Sequence, residues 1–195
     1  GTTAIDATAG VADFSGTGIN IDVVGMKTLR AAKASTVGGG GTAAMTVNSN
    51  AFDLIPGIAT QVAFSVDPVD TAAGADIVPV IQIRDAASNV VATGIDSTAI
   101  ITLSLFSGSG SLLGTLTKQA VAGVASFTAT QGVYMTSPGV KKITATKQDL
   151  SAGGATGSFS ANSADFTITN ADATTLVFTT QPINPTLAGA DLTPV

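Results

Sequence analysis

Residues 60–80 read TQVAFSVDPVDTAAGADIVPV, and residues 174–195 read TTLVFTTQPINPTLAGADLTPV. Thr60, Phe64 and Pro68 lie over Thr174, Phe178 and Pro182. Gly74-Ala-Asp76 lies over Gly189-Ala-Asp191, and Pro79-Val80 over Pro194-Val195. The second stretch is a copy of the first. Self-similarity at a fixed spacing marks a repeat architecture, and it governs every later reading of the chain.

The copying extends outward. Residues 1–14, GTTAIDATAGVADF, match residues 114–127, GTLTKQAVAGVASF, at eight of fourteen positions. Gly25-Met-Lys-Thr-Leu-Arg-Ala-Ala-Lys33 lies over Gly139-Val-Lys-Lys-Ile-Thr-Ala-Thr-Lys147, and Asn48, Ser49 and Phe52 lie over Asn162, Ser163 and Phe166. The offset drifts from 113 to 115 along the chain, as small loop insertions make it do. Only residues 81–113 occur once. The expected organisation is therefore the C-terminal part of one unit over residues 1–59, a complete unit over 60–172, and the first strands of a third over 173–195.

Composition points to strands. Charged residues make up 11% of the chain, there is no Glu, and all 13 acids are Asp. The loss of Glu, Lys and Arg removes strong helix formers. Thr and Val favour strands, and Gly supplies turns. With no Cys there is no disulfide staple, so packing alone must hold the fold. A net charge of −5 argues against nucleic acid, which needs a basic footprint, and against anionic membrane surfaces. The longest apolar run, near residues 99–106, is broken by Thr102 and Ser104. It is far short of the roughly 20 residues of a membrane span.

The complete unit alternates with period two in several places. Val62, Phe64 and Val66 share a face until Asp67-Pro68 ends the strand, because Pro has no donor for a ladder. Residues 79–84 resume, with Ile81 and Ile83 on one side. Asp85-Ala-Ala-Ser-Asn89 is a turn of side chains that bond their own backbone. Short strands are expected at 90–93, 98–106, 112–117 and 123–129. Another is expected at 141–147 and a broken one at 159–168, with no helix longer than a turn. Seven to nine strands in about 114 residues fit a sandwich of the immunoglobulin-like type.

The order of motifs resembles a known family. Leu176-Val-Phe178, Gln181-Pro182, Asn184, Ala188-Gly189 and Pro194-Val195 are similar to the opening of bacterial immunoglobulin-like (Big-type) repeats of large surface proteins and adhesins. Gln82-Ile83-Arg84-Asp85 followed by Asn89-Val90-Val91 resembles that family's hairpin, with Ser88 standing where it has Gly. Ala122-Gly123-Val124-Ala125-x-Phe127 and Gly139-x-Lys141-x-Ile143-x-Ala145 extend the likeness. Lys27 and Lys141 occupy positions where many sandwich domains carry an aromatic. The resemblance implies a prokaryotic extracellular or cell-surface stalk, fibre or filament. The alternative it implies is an adhesin segment that grips glycan or protein through loops, which would lie in residues 81–113 and 131–139.

The chemical inventory is inert. General acid–base and nucleophilic catalysis lean on His, Cys, Glu or a perturbed Lys, and three of those four are absent. The Ser107-Gly-Ser-Gly110 and Gly38–Gly41 stretches read as loop glycines. No catalytic or cofactor-binding residue is expected. For Ca²⁺, Asp67 and Asp70 become Gln181 and Asn184 in the other copy, and only Asp76 and Asp191 coincide. One carboxylate per unit reads as a turn acceptor, with structural Ca²⁺ held mainly by backbone oxygens as the alternative. Lys27 and Lys141 fall at inward parity. They are expected to snorkel their ammonium groups to water; the competing reading is a covalent Lys–Asn bond to Asn48 and Asn162. The paired Phe14/Phe127, Phe52/Phe166 and Phe64/Phe178 are expected as core plugs. The expected partners are neighbouring units or further copies of the chain, joined by strand addition at its ends, because open edges invite pairing.

Overall fold

The computed structural model describes residues 1–35, 43–148, 157–181 and 188–189. The copied positions Pro182, Asn184, Asp191, Pro194 and Val195, and Gly38–Gly41, lie outside them. Among the described residues the regular structure is almost entirely strand, with one short 3-10 turn at Ile95–Thr98.

The first strands form two small antiparallel pairs. β1 (Gly25–Lys27) pairs β4 (Phe52–Leu54), and β2 (Arg30–Lys33) pairs β3 (Met45–Asn48). Their side chains are mostly exposed.

The rest builds two larger sheets. β5 (Gln61–Val66) pairs β7 (Val80–Arg84), which pairs β10 (Val124–Ser126). Between them the chain changes sheets. At Asp67-Pro68 it leaves β5, and β6 (Thr71–Ala72) joins the second sheet parallel to β13 (Phe166–Thr169). Two aspartates fix this crossover: Asp67 Oδ1 accepts the Ala164 N–H at 2.8 Å and Asp70 Oδ1 the Thr167 N–H at 2.6 Å. The second sheet runs β6-β13-β11-β8-β9, with β11 spanning Gly139–Lys147, β8 Ile100–Ser107 and β9 Thr117–Gln119. β12 (Phe159–Asn162) continues the β13 edge along the C-terminal half of β11.

The two sheets enclose one core, a sandwich-like arrangement. Val62, Ile81, Ile83 and Ala125 come from the first sheet; Ile101, Leu103, Ile143, Ala145, Phe166 and Ile168 come from the second. The period-two alternation produces this directly, because successive Cβ atoms leave opposite faces of a strand. The core runs from Ala59 to Ile168.

Two expected strands are replaced. Residues 90–93 make a single bridge, Arg84 to Val90, before Ala92 N–H turns back onto the Val90 carbonyl. Residues 112–117 also make only a bridge, Leu113 to Tyr134, and pairing with β8 starts at Thr117. In both places an apolar residue, Val91 or Leu112, enters the core while the chain reverses.

The copied sequences have copied geometry. β1 meets β4 as Gly25↔Leu54 and Lys27↔Phe52; β11 meets β13 as Gly139↔Ile168 and Lys141↔Phe166. β2 meets β3 as Arg30↔Asn48 through Lys33↔Met45; β11 meets β12 as Thr144↔Asn162 through Lys147↔Phe159. Every partner is shifted by 114. The break between strand halves repeats too. Leu29 N–H donates to Ser49 Oγ at 3.0 Å, and Ile143 N–H to Ser163 Oγ at 3.1 Å. The Thr8-Ala9-Gly10-Val11 turn has φ of 50° and 79° at its centre, and Val121-Ala122-Gly123-Val124 has 48° and 77°. Both are two-residue reversals of the kind that needs positive φ twice.

Candidate functional site

The most connected polar group outside the core is the Asp85–Asn89 reversal. Asp85 N–H donates to the Asn89 carbonyl at 2.9 Å, and Ser88 N–H to the Asp85 carbonyl at 3.0 Å. Ser88 has φ 69°, in the left-handed region that favours Gly. Asp85 is 5% exposed and its carboxylate faces N–H donors. Oδ1 accepts the N–H groups of Ala87 at 3.0 Å and Asn89 at 2.9 Å, and Oδ2 accepts that of Gly57 at 3.0 Å. The Asn89 amide adds bonds to both oxygens. Burial pushes the Asp85 carboxyl up, but the hydrogen bonds from Gly57, Asn89 and Ala87 outweigh it. They hold the carboxyl below its ordinary value.

The same reversal grips the N-terminal residues. Asn89 Nδ2 donates to the Asp22 carbonyl at 2.6 Å, and Asn89 Oδ1 accepts the Val24 N–H at 3.4 Å. Gln61 Nε2 ties the Asp85 carbonyl to β5 at 2.9 Å. A cleft of about 330 Å³ beside it is lined by Asp22, Ala86 and Ala87. Chemically this is a clasp. One carboxylate and one amide hold residues 22–24 and the connecting Gly57 onto the start of the core.

Two lysines lie on the inward face of β11. Lys141 is 1% exposed, so it does not snorkel. Its ammonium donates to the Ser109 carbonyl at 2.6 Å and the Pro138 carbonyl at 3.2 Å, which satisfies a charge that burial would otherwise make costly. Asn162 lies elsewhere: it is registered with Thr144, whose Oγ1 donates to it at 2.7 Å, three residues along the strand from Lys141. The Lys–Asn bond is replaced by these contacts. Lys147, completely buried, meets Asp96 Oδ1 at 2.8 Å, with its ammonium 5.6 Å from the Phe159 ring centre. The inward parity of Lys147 is legible in sequence; Asp96, in the 3-10 turn 51 positions earlier, carries no local signal.

The candidate Ca²⁺ acids Asp67 and Asp70 accept backbone N–H groups at the sheet crossover, and Asp76 is bridged to Tyr134. Among the described residues no three acidic side chains converge. Of the loops considered for ligand binding, residues 131–139 turn Val133 and Met135 fully into the core. Phe127 and Phe166 plug the core and Phe64 packs against it, whereas Phe14, Phe52 and Phe178 are exposed. No helix among the described residues is long and apolar enough to cross a membrane.

Comparison with protein-family models and with curated protein sequences returns no match to this chain.

Proposed function

We propose that this chain is a structural segment of an extracellular stalk, fibre or filament, made of immunoglobulin-like sandwiches in tandem. Residues 1–59 are the end of one unit, 60–172 a complete one, and 173–195 the opening of the next. The observation that carries the reading is the duplicated register: strand pairs 114 residues apart share every partner. The strand order adds support. β5-β7-β10 and β8-β11-β13 correspond to the A-B-E and C-F-G runs of such a sandwich.

The Asp85–Asn89 clasp suits a stiff array. A linker with no bonds of its own lets adjacent domains swing, whereas this one is held at Asp22, Val24 and Gly57. The inventory without His, Cys or Glu fits a part that bears load and does no chemistry. Electron microscopy of the full-length parent polypeptide tests the proposal. Rods or filaments with an axial repeat of one sandwich are expected; compact particles with no rod would contradict it.

A further inference from the structure

The residues of the core have counterparts, 113 or 114 positions earlier, that lie open. Ile143 is fully buried and Leu29 is 49% exposed; Phe166 is 2% exposed and Phe52 37%. The strands beneath are paired in the same register, so the backbone does not account for the difference. The cover does. Over the buried copy, β5 packs on β11 and β12, β8 pairs along β11 from Ile101 to Ser107, and β6 lies beside β13. All of these belong to the 54-residue stretch 60–113.

We infer that the open face carried by β1–β4 is a docking surface for one occupant: a half-unit of the residue 60–113 type, joined in the same polypeptide ahead of Gly1. The backbone around Gly1 also matches that around Gly114, which directly follows the cover of the buried copy. A Cβ at Gly1 would collide with the Gly18 carbonyl, as one at Gly114 would with the Gly132 carbonyl. Thr2 N–H donates to the Thr17 carbonyl at 3.0 Å, as Thr115 does to Gln131 at 2.8 Å. A cover attached there docks without the entropy cost of association between molecules. It also completes a polar contact. Lys27 Nζ holds the Val24 carbonyl at 3.1 Å, the equivalent of Lys141 to Pro138, and the occupant adds the carbonyl that Ser109 supplies to Lys141. The inference rests on the repeat reading but not on where the array is displayed.

The test adds a second copy of residues 60–113 ahead of Gly1 in the full chain and follows amide hydrogen exchange. Amides of β2 and β3 are expected to slow at least 100-fold, toward those of β11 and β12, and a second cooperative unfolding transition is expected. The same fusion with Asp at the added positions equivalent to Ile81 and Ile101 should abolish both changes, while residues 60–172 remain as the internal folding control. If β2 and β3 exchange as fast as before while β11 stays protected, the inference is overturned. It is equally overturned if the unextended chain protects β2 and β3 in a concentration-dependent way that Leu176→Asp and Phe178→Asp remove. In that case the cover would be the tail of a second copy. Rods seen by microscopy of the parent are unaffected by either failure, so the two proposals fail separately.

Discussion

Asp85 shows how a single residue can tie together segments distant in sequence. Its carboxylate is buried, and its charge is stabilised by N–H donors from Gly57, Ala87 and Asn89. The folded carboxyl titrates below the ordinary value near 3.9. Its contribution to stability is therefore complete above about pH 4. It is lost as pH falls through the lower folded value, because the unfolded chain then binds the proton more readily. Urea midpoints measured from pH 6 downward should fall in the acid range for the native chain and fall less for Asp85→Asn. At neutral pH the variant should cost roughly 1.5–3 kcal/mol, the usual worth of hydrogen bonds to a charged group. The turn itself was legible from its Asp and Asn. Its grip on Asp22 was not, because a hydrogen bond across 67 positions leaves no local pattern. Lys141 gives the opposite lesson: parity put it on the inward face, but the expected snorkelling to water is replaced by bonds to the Ser109 and Pro138 carbonyls, which parity does not reveal.

Lys147 belongs to the same scale. Lys147→Met leaves Asp96 buried opposite a thioether, and loss of one partner of a buried pair costs about 3–5 kcal/mol. Adding Asp96→Leu should return most of that loss, since well-packed apolar replacements of buried ion pairs are close to neutral. Thermal unfolding of the two variants checks both statements. A single variant as stable as the native chain would show that the pair contributes little.

At the scale of elements, one sequence pattern builds two equal turns in unequal surroundings. Gly10 and Gly123 share φ near 80°. Nothing lies within 4 Å of a Cβ at Gly10, whereas one at Gly123 would sit 2.5 Å from the Val91 carbonyl oxygen. Gly123→Ala should therefore destabilise the main unfolding transition by roughly 2 kcal/mol or more, combining left-handed strain with the collision. Gly10→Ala carries the left-handed strain without the collision, so it should cost less, roughly 1–2 kcal/mol. Denaturant midpoints of the pair decide it. Strands with strict alternation, such as residues 61–66, 100–107 and 139–147, could be read from sequence. Residues 90–93 and 112–117 could not: there apolar residues enter the core from turns, and a composition rich in Thr and Val looks the same in either setting.

At the scale of the whole molecule, the all-β character was legible from composition and alternation. Identities at a nearly fixed offset were legible too, and the strand pairs they link share their registers. What sequence alone left open was how residues 1–59 meet the core that follows. The structure places a few polar contacts there, at residues 22–24, 57, 85 and 89. Small-angle X-ray scattering of two, three and four fused copies of residues 1–113, each of which carries residues 22–24, 57, 85 and 89, tests the central claim, stacking through a stiff joint. The account predicts a maximum dimension that grows by an equal increment with each added copy. Growth no faster than that of a compact particle of increasing volume would contradict it.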